Sequence, residues 1–167
     1  MDLLLAFESS LIKTKPNKKG HLLMVGDGEL KSECEHYATK NKLPVTFTGF
    51  LNQTKIISAY VASDCLVLPS DYGETWGLVV NEAMACGIPA IVSDRVGCHP
   101  DLIISGKTGH VFPFGDIKSL SNLLVSYINN PGYLKVMGTE AHGHIKKYSY
   151  NKVVKGTLAA LDYVCKK

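Results

Sequence analysis

Five short runs rich in aliphatic and β-branched residues, at 21–25, 45–49, 65–69, 89–93 and 109–113, alternate with longer stretches whose apolar residues recur at helical spacing. A parallel strand pair needs a crossover long enough to hold a helix, so this alternation predicts an α/β fold: a Rossmann-like parallel sheet with helices on both faces. The helices are expected at 2–13, 29–41, 54–63, 77–86, 116–129, 131–147 and 150–165. Their ends carry recognisable punctuation. Gly87 followed by Pro89 stops the helix that begins near residue 77, and Asp116 after Gly115 is placed to cap the next long one.

With 167 residues, 46% hydrophobic and 20% charged, the chain has apolar material for one core, and no repeat or low-complexity tract divides it. The whole of 1–167 therefore reads as one domain. The net charge of +3 is mild, and the one lysine cluster, Lys13, Lys15, Lys18 and Lys19, reads as a solvated loop rather than a patch for nucleic acid or lipid. No run approaches the roughly 20 apolar residues of a membrane span, and Met1-Asp2-Leu3-Leu4-Leu5 lacks the charged start and cleavage site of a signal peptide. A cytoplasmic location is the expectation. Cys34, Cys65, Cys86, Cys98 and Cys165 are odd in number and form no Cys-x-x-Cys pair, which fits reduced structural thiols. Of the six histidines only His142 and His144 are close in sequence, and an i, i+2 pair on a helix points two ways, so no metal site is expected. Gly26-Asp27-Gly28 lacks the third glycine of a dinucleotide fingerprint and reads as a structural turn. His99-Pro100-Asp101 reads as the start of a helix.

The functional signal is concentrated in Tyr72-Gly73-Glu74-Thr75-Trp76-Gly77-Leu78-Val79-Val80-Asn81-Glu82-Ala83-Met84-Ala85-Cys86-Gly87-Ile88-Pro89. Glu74 lies in a glycine-flanked loop after the strand Cys65–Ser70, at the C-terminal end where open α/β sheets bind ligands. Glu82 lies eight residues on, in a helical run otherwise almost wholly apolar. Such a helix is expected to be buried on most sides, where a lone carboxylate is costly, so Glu82 is expected to serve a ligand, the alternatives being a narrow exposed stripe or a pairing with an arginine such as Arg95.

These residues, with the later Val92-Ser93-Asp94 and Gly106-Lys107-Thr108-Gly109, closely resemble the donor-binding lobe of the retaining, family 4 (group 1) glycosyltransferases of GT-B architecture. Val25-Gly26-Asp27-Gly28-Glu29, Val45-Thr46-Phe47-Thr48-Gly49 and Leu68-Pro69-Ser70 extend the resemblance over about residues 1 to 165. It implies a hexosyltransferase that moves a sugar from a UDP- or GDP-sugar to a glycan, lipid or small-molecule acceptor. Glu74 would contact hydroxyls of the donor sugar and act catalytically, and Glu82 would bond the ribose. Carboxylates suit vicinal diols, since charge-assisted hydrogen bonds contribute about 1.5–3 kcal/mol each. Thr75, Trp76, Gly77 and Leu78 would open a helix whose unpaired N–H groups and dipole receive the diphosphate. A side chain at Gly77 is expected to block the nucleotide without unfolding the protein. Base contacts would come from the loop Phe50-Leu51-Asn52-Gln53, chiefly Phe50 and Leu51. No Asp-x-Asp motif is present, so no metal or other cofactor is expected.

The resemblance fails at the beginning. Family members place a strand with Gly-Arg and a lysine-glycine pair before the helix that reads here as Asp2-Leu3-Leu4-Leu5-Ala6-Phe7. In the usual 3-2-1-4-5-6 order that strand is central. The chain is therefore expected to be N-terminally truncated, to lack the acceptor-binding lobe, and to be inactive and poorly folded alone. The nucleotide sugar is the expected partner and nucleic acid is not; the parent is compatible with peripheral membrane association. Two other readings stay open: a non-catalytic nucleotide-sugar or interaction module that docks on a separate acceptor lobe, and a different two-lobed nucleotide-sugar enzyme such as an epimerase.

Overall fold

The computed structural model describes residues 1–166. Its elements run α1 (Asp2–Lys13), β1 (Leu22–Val25), α2 (Lys31–Lys40), β2 (Val45–Gly49), α3 (Gln53–Val61), β3 (Leu66–Leu68), α4 (Leu78–Ala85), β4 (Ala90–Ser93), α5 (His99–Leu102), β5 (Gly109–Phe112), α6 (Ile117–Asn129), α7 (Pro131–Ile145) and α8 (Tyr150–Cys165), with a 3₁₀ turn at Lys146–Tyr148. All five expected strands and all seven expected long helices are present. Corrections are at the ends: α2 starts two residues later than expected, α3 starts one residue earlier and stops at Val61, and the last turn of α7 tightens into the 3₁₀ segment.

Every strand pair is parallel. The expected single sheet is, however, two sheets, one of β1 and β2 and one ordered β3-β4-β5. In the second sheet β4 has a partner on each side and all four of its residues are buried. Its side chains alternate as a pleated strand requires. Ile91 joins Leu3, Ala6 and Phe7 of α1, Leu120, Leu124 and Tyr127 of α6, and Leu134 and Met137 of α7. Ala90 and Val92 join Val80 and Met84 of α4, Val96, Cys98, Leu102, and Ala141 and Ile145 of α7. Leu22 and Met24 of β1 and Val67 of β3 pack on the first of these cores, so the two sheets share one helical cover. They are only half-buried, as befits strands with a ladder on one side alone.

Local signals explain the helix ends. Asp116 Oδ1 accepts from the Ser119 amide at 2.9 Å and caps α6, and Gly87 adopts a positive φ of 76° just past α4. His142 and His144 do diverge, the first hydrogen-bonded to the Ala85 carbonyl and the second to that of Asp101. α8 buries none of its residues and leaves Val153, Val154, Leu158 and Leu161 more than half exposed.

Candidate functional site

Three loops leave the C-terminal ends of β3, β4 and β5, and parallel pairing puts all three on one edge of the sheet. The first, residues 69–77, is folded by its own carboxylates. Asp71 Oδ1 accepts from the Gly73 amide at 2.8 Å, the Glu74 amide donates to the Asp71 carbonyl at 3.1 Å, and Glu74 Oε1 accepts from the Gly77 amide at 3.0 Å. The second loop is laced to it: Gly97 N–H donates to the Glu74 carbonyl and Cys98 N–H to that of Trp76. A Cβ on Gly97 would lie 1.9 Å from the Thr75 carbonyl oxygen, so glycine alone permits this approach. Trp76 Nε1 donates to Asn81 Oδ1 at 2.8 Å and ties the loop to α4.

Gly77 is the N-cap of α4, in the left-handed region at φ 95° and ψ 56°. A Cβ there would sit 2.9 Å from Val96 Cγ1 and 3.2 Å from Leu68 Cδ2. The expectation that a side chain at 77 leaves the fold untouched is therefore corrected. The position faces the core as well as the loop, and its glycine is a folding requirement. Thr75 and Trp76 also precede the helix rather than opening it; α4 starts at Leu78. Among the described residues the Leu78 and Val79 amides have no acceptor, as expected for a first turn, whereas that of Gly77 is taken by Glu74.

At Glu82 the expected burial of α4 on most sides gives way to the alternative of an exposed stripe. The residue is exposed, on a stripe with Leu78 and Ala85 at i, i+4 and i+7 along α4. The apolar residues that suggested all-round burial, Val80, Ala83 and Met84, cover only the core side. Nor is its partner Arg95. The Tyr60 hydroxyl, carried by α3, donates to Glu82 Oε2 at 2.8 Å. Burial first, and then that carboxylate, hold the Tyr60 phenol far above its ordinary pKa. Burial likewise pushes the Cys98 thiol up to about 11, with the Glu74 charge acting in the same direction. Phe50 is 77% exposed and Leu51 half-buried in the loop after β2, where the Asn52 side chain caps α3 by accepting from Lys55 N–H at 3.1 Å. Glu74, Thr75, Trp76, Leu78 and Glu82 thus lie along one loop-to-helix element over the buried Gly77, and α3 links the Phe50 loop to it through Tyr60. A separate concavity of about 440 Å³, lined by Glu35, Ala38, Thr39, Lys42, Leu43, Val45 and Phe47, contains none of these residues. Tyr60 and Asn81 escaped the sequence reading of the site, and Arg95 entered it only as a possible partner of Glu82. Only the rule that Glu82 needs a partner pointed toward such a group, and nothing local named Tyr60, 22 residues away.

The family model described as glycosyl transferases group 1 matches residues 2–151. The chain belongs to this family. Among similar curated proteins, sulfoquinovosyl transferase of Arabidopsis thaliana is 34% identical over 145 residues, covering 84% of this chain and 28% of that protein. A GDP-mannose-dependent monoacylated α-(1-6)-phosphatidylinositol monomannoside mannosyltransferase of Corynebacterium glutamicum is 30% identical over 150 residues, covering 83% and 39%. The chain thus spans well under half the length of these relatives. Among solved structures, sucrose-phosphate synthase of Thermosynechococcus elongatus superposes with a TM-score of 0.78 at 27% identity, covering 98% of this chain and 42% of that one. The Anabaena protein HepE, solved with UDP, gives 0.74 at 22% identity, covering 93% and 44%. The α/β group 1 domain is a glycosyltransferase fold of the GT-B type. No helix among its described residues is long and apolar enough to cross a membrane.

Proposed function

We propose that this group 1 domain is the donor-binding lobe of a retaining, family 4 hexosyltransferase that uses a UDP- or GDP-sugar. The observation that carries the reading is the spacing of Glu74 and Glu82 at the two ends of one loop-to-helix element, with a left-handed glycine and the open first turn of α4 between them. In this reading Glu74 bonds the sugar hydroxyls and Glu82 the ribose, while Thr75 to Leu78 face the diphosphate and Phe50 and Leu51 flank the base. The Glu74 carboxylate on the Gly77 amide occupies an anion position at a helix start. A diphosphate arriving there displaces it toward the sugar, so donor binding itself sets the catalytic carboxylate. Fixed amide dipoles stabilise the leaving diphosphate, and no metal ion is required.

The acceptor and the acceptor-binding lobe lie outside residues 1–167 in this account. The β1–β2 sheet and the β3–β4–β5 sheet are separate, and a strand preceding α1 that paired between them would fit the same arrangement. Calorimetric titration of UDP, GDP and their sugars against the intact protein tests the reading: one nucleotide series binds at micromolar levels with or without a chelator. Binding of neither series overturns it. Binding without transfer to any acceptor favours the alternative of a non-catalytic module, and a donor epimerised without transfer favours an epimerase.

A further inference from the structure

The β4–α5 loop holds a cation for which the fold supplies no counter-charge. The Arg95 guanidinium carbon lies 4.8 Å from the centroid of the Tyr72 ring and 4.4 Å from that of Phe114. Tyr72 follows β3, Arg95 follows β4 and Phe114 follows β5, so the clamp is assembled by the sheet edge rather than by chance neighbours in sequence. Both distances are inside the reach of cation–π attraction. Ring faces cannot satisfy all five N–H donors of a guanidinium, which leaves donors for a ligand. Among the described residues Arg95 has no carboxylate within 4.0 Å, the recorded ion pair being Lys31 with Asp27. The neighbouring Asp94 turns away and accepts from the Phe114 amide at 2.8 Å. Arg95 is half-buried and Tyr72 is 75% exposed, so the clamp opens outward.

The location says which part of a donor it meets. The loop bearing Arg95 hydrogen-bonds through Gly97 to the backbone of Glu74 and through Cys98 to that of Trp76. It therefore adjoins the end of the element assigned to the sugar, while Glu82, with the Tyr60 hydroxyl of α3 on its carboxylate, lies on the helix beyond Gly77. A neutral sugar would leave a partly desolvated cation without a partner; an oxyanion on the sugar gives it a charge-assisted, bidentate one.

We propose that Arg95, held between Tyr72 and Phe114, is a specificity-determining residue that selects a donor whose sugar carries an acidic group, a carboxylate or a sulfonate. The inference rests on the donor-lobe reading above. Its test is titration of the intact protein with matched donors that differ only at C6, UDP-glucose against UDP-glucuronate and GDP-mannose against GDP-mannuronate. Wild type binds the acidic member of one pair about 10- to 100-fold more tightly, the span of one charge-assisted hydrogen bond. Arg95→Gln abolishes that preference and leaves the neutral member unchanged. Arg95→Lys keeps only part of it, having charge without the fork. Equal binding of the two members by wild type overturns this inference alone. Equal loss of both members in Arg95→Gln overturns it too and moves Arg95 to the diphosphate. Loss of the preference on adding millimolar inorganic phosphate, with free nucleotide binding intact, supports an oxyanion seat at Arg95. Failure of every nucleotide and nucleotide sugar to bind overturns the donor-lobe reading, and this inference with it.

Discussion

Gly77→Ala is the substitution whose effect the geometry determines most tightly. Its backbone stands at φ 95° and ψ 56°, a region that costs an L-residue about 1–2 kcal/mol. The added methyl would also meet Val96 Cγ1 at 2.9 Å and Leu68 Cδ2 at 3.2 Å, with Cys98 Sγ at 3.4 Å. Val96 and Cys98 are fully buried in the core beneath α4, so neither has room to retreat, and overpacking of this kind costs about 1–3 kcal/mol. The sum is about 2–5 kcal/mol, a large part of the roughly 5–15 kcal/mol that holds a domain together. At about 2–4 °C per kcal/mol for a domain of this size, the melting temperature should fall by about 4–20 °C. Circular dichroism melts and urea titrations measure it, with Gly28→Ala as the control, since a Cβ there has nothing within 4 Å and no positive φ. If Gly77→Ala melts with wild type while losing nucleotide binding, the glycine serves the ligand alone and the packing argument is wrong.

Four further outcomes are expected. Tyr60→Phe removes the hydroxyl that holds Glu82 and should lower stability by about 0.5–1.5 kcal/mol in the same melts; an unchanged melt would mean that the bond does not persist in solution. Burial lowers the pKa of His110, which is bonded to the Tyr127 hydroxyl, so its contribution to stability is intact above the ordinary histidine value near 6.5 and is lost as the pH falls below it; His110→Phe should flatten that part of a stability-against-pH curve. Iodoacetamide at pH 8 should modify Cys165, which is exposed, well before Cys98, which is fully buried with a thiol pKa pushed up to about 11, as peptide mass spectrometry would show. If a strand pairs between the two sheets, as the proposed donor-lobe reading requires, supplying it N-terminal to α1 should sharpen unfolding and raise its midpoint relative to residues 1–167 alone; a cooperative melt with the same midpoint in both forms would refute this.

Where local chemistry decides, the sequence was readable. The five strand runs, the Gly87 stop and the Asp116 cap each depend on residues within a few positions of one another, and each appears in the fold. The misreadings arise where a distant element decides. The composition of α4 suggested burial all round, yet the core takes only one side and leaves Glu82 on an open stripe; seeing this needs the positions of β4 and α7. Gly77 was read as clearance for a ligand because Val96 and Leu68, which crowd it, come from other strands' ends. Arg95 was a candidate partner for Glu82 on charge alone, but three loops converge to stack it between Tyr72 and Phe114. The break into two sheets is likewise a property of pairing, which no single run of residues encodes.

The central claim is that Glu82 receives the ribose and Glu74 the sugar. Isothermal calorimetry of free UDP or GDP against wild type, Glu82→Ala and Glu74→Ala in the intact protein tests it most directly. The account predicts that Glu82→Ala weakens the free nucleotide by about 1.5–3 kcal/mol, roughly 10- to 100-fold. Glu74→Ala should leave free-nucleotide affinity unchanged, or raise it by freeing the Gly77 amide, while transfer collapses. Equal losses of nucleotide affinity in both variants would contradict the division of roles on which the account rests.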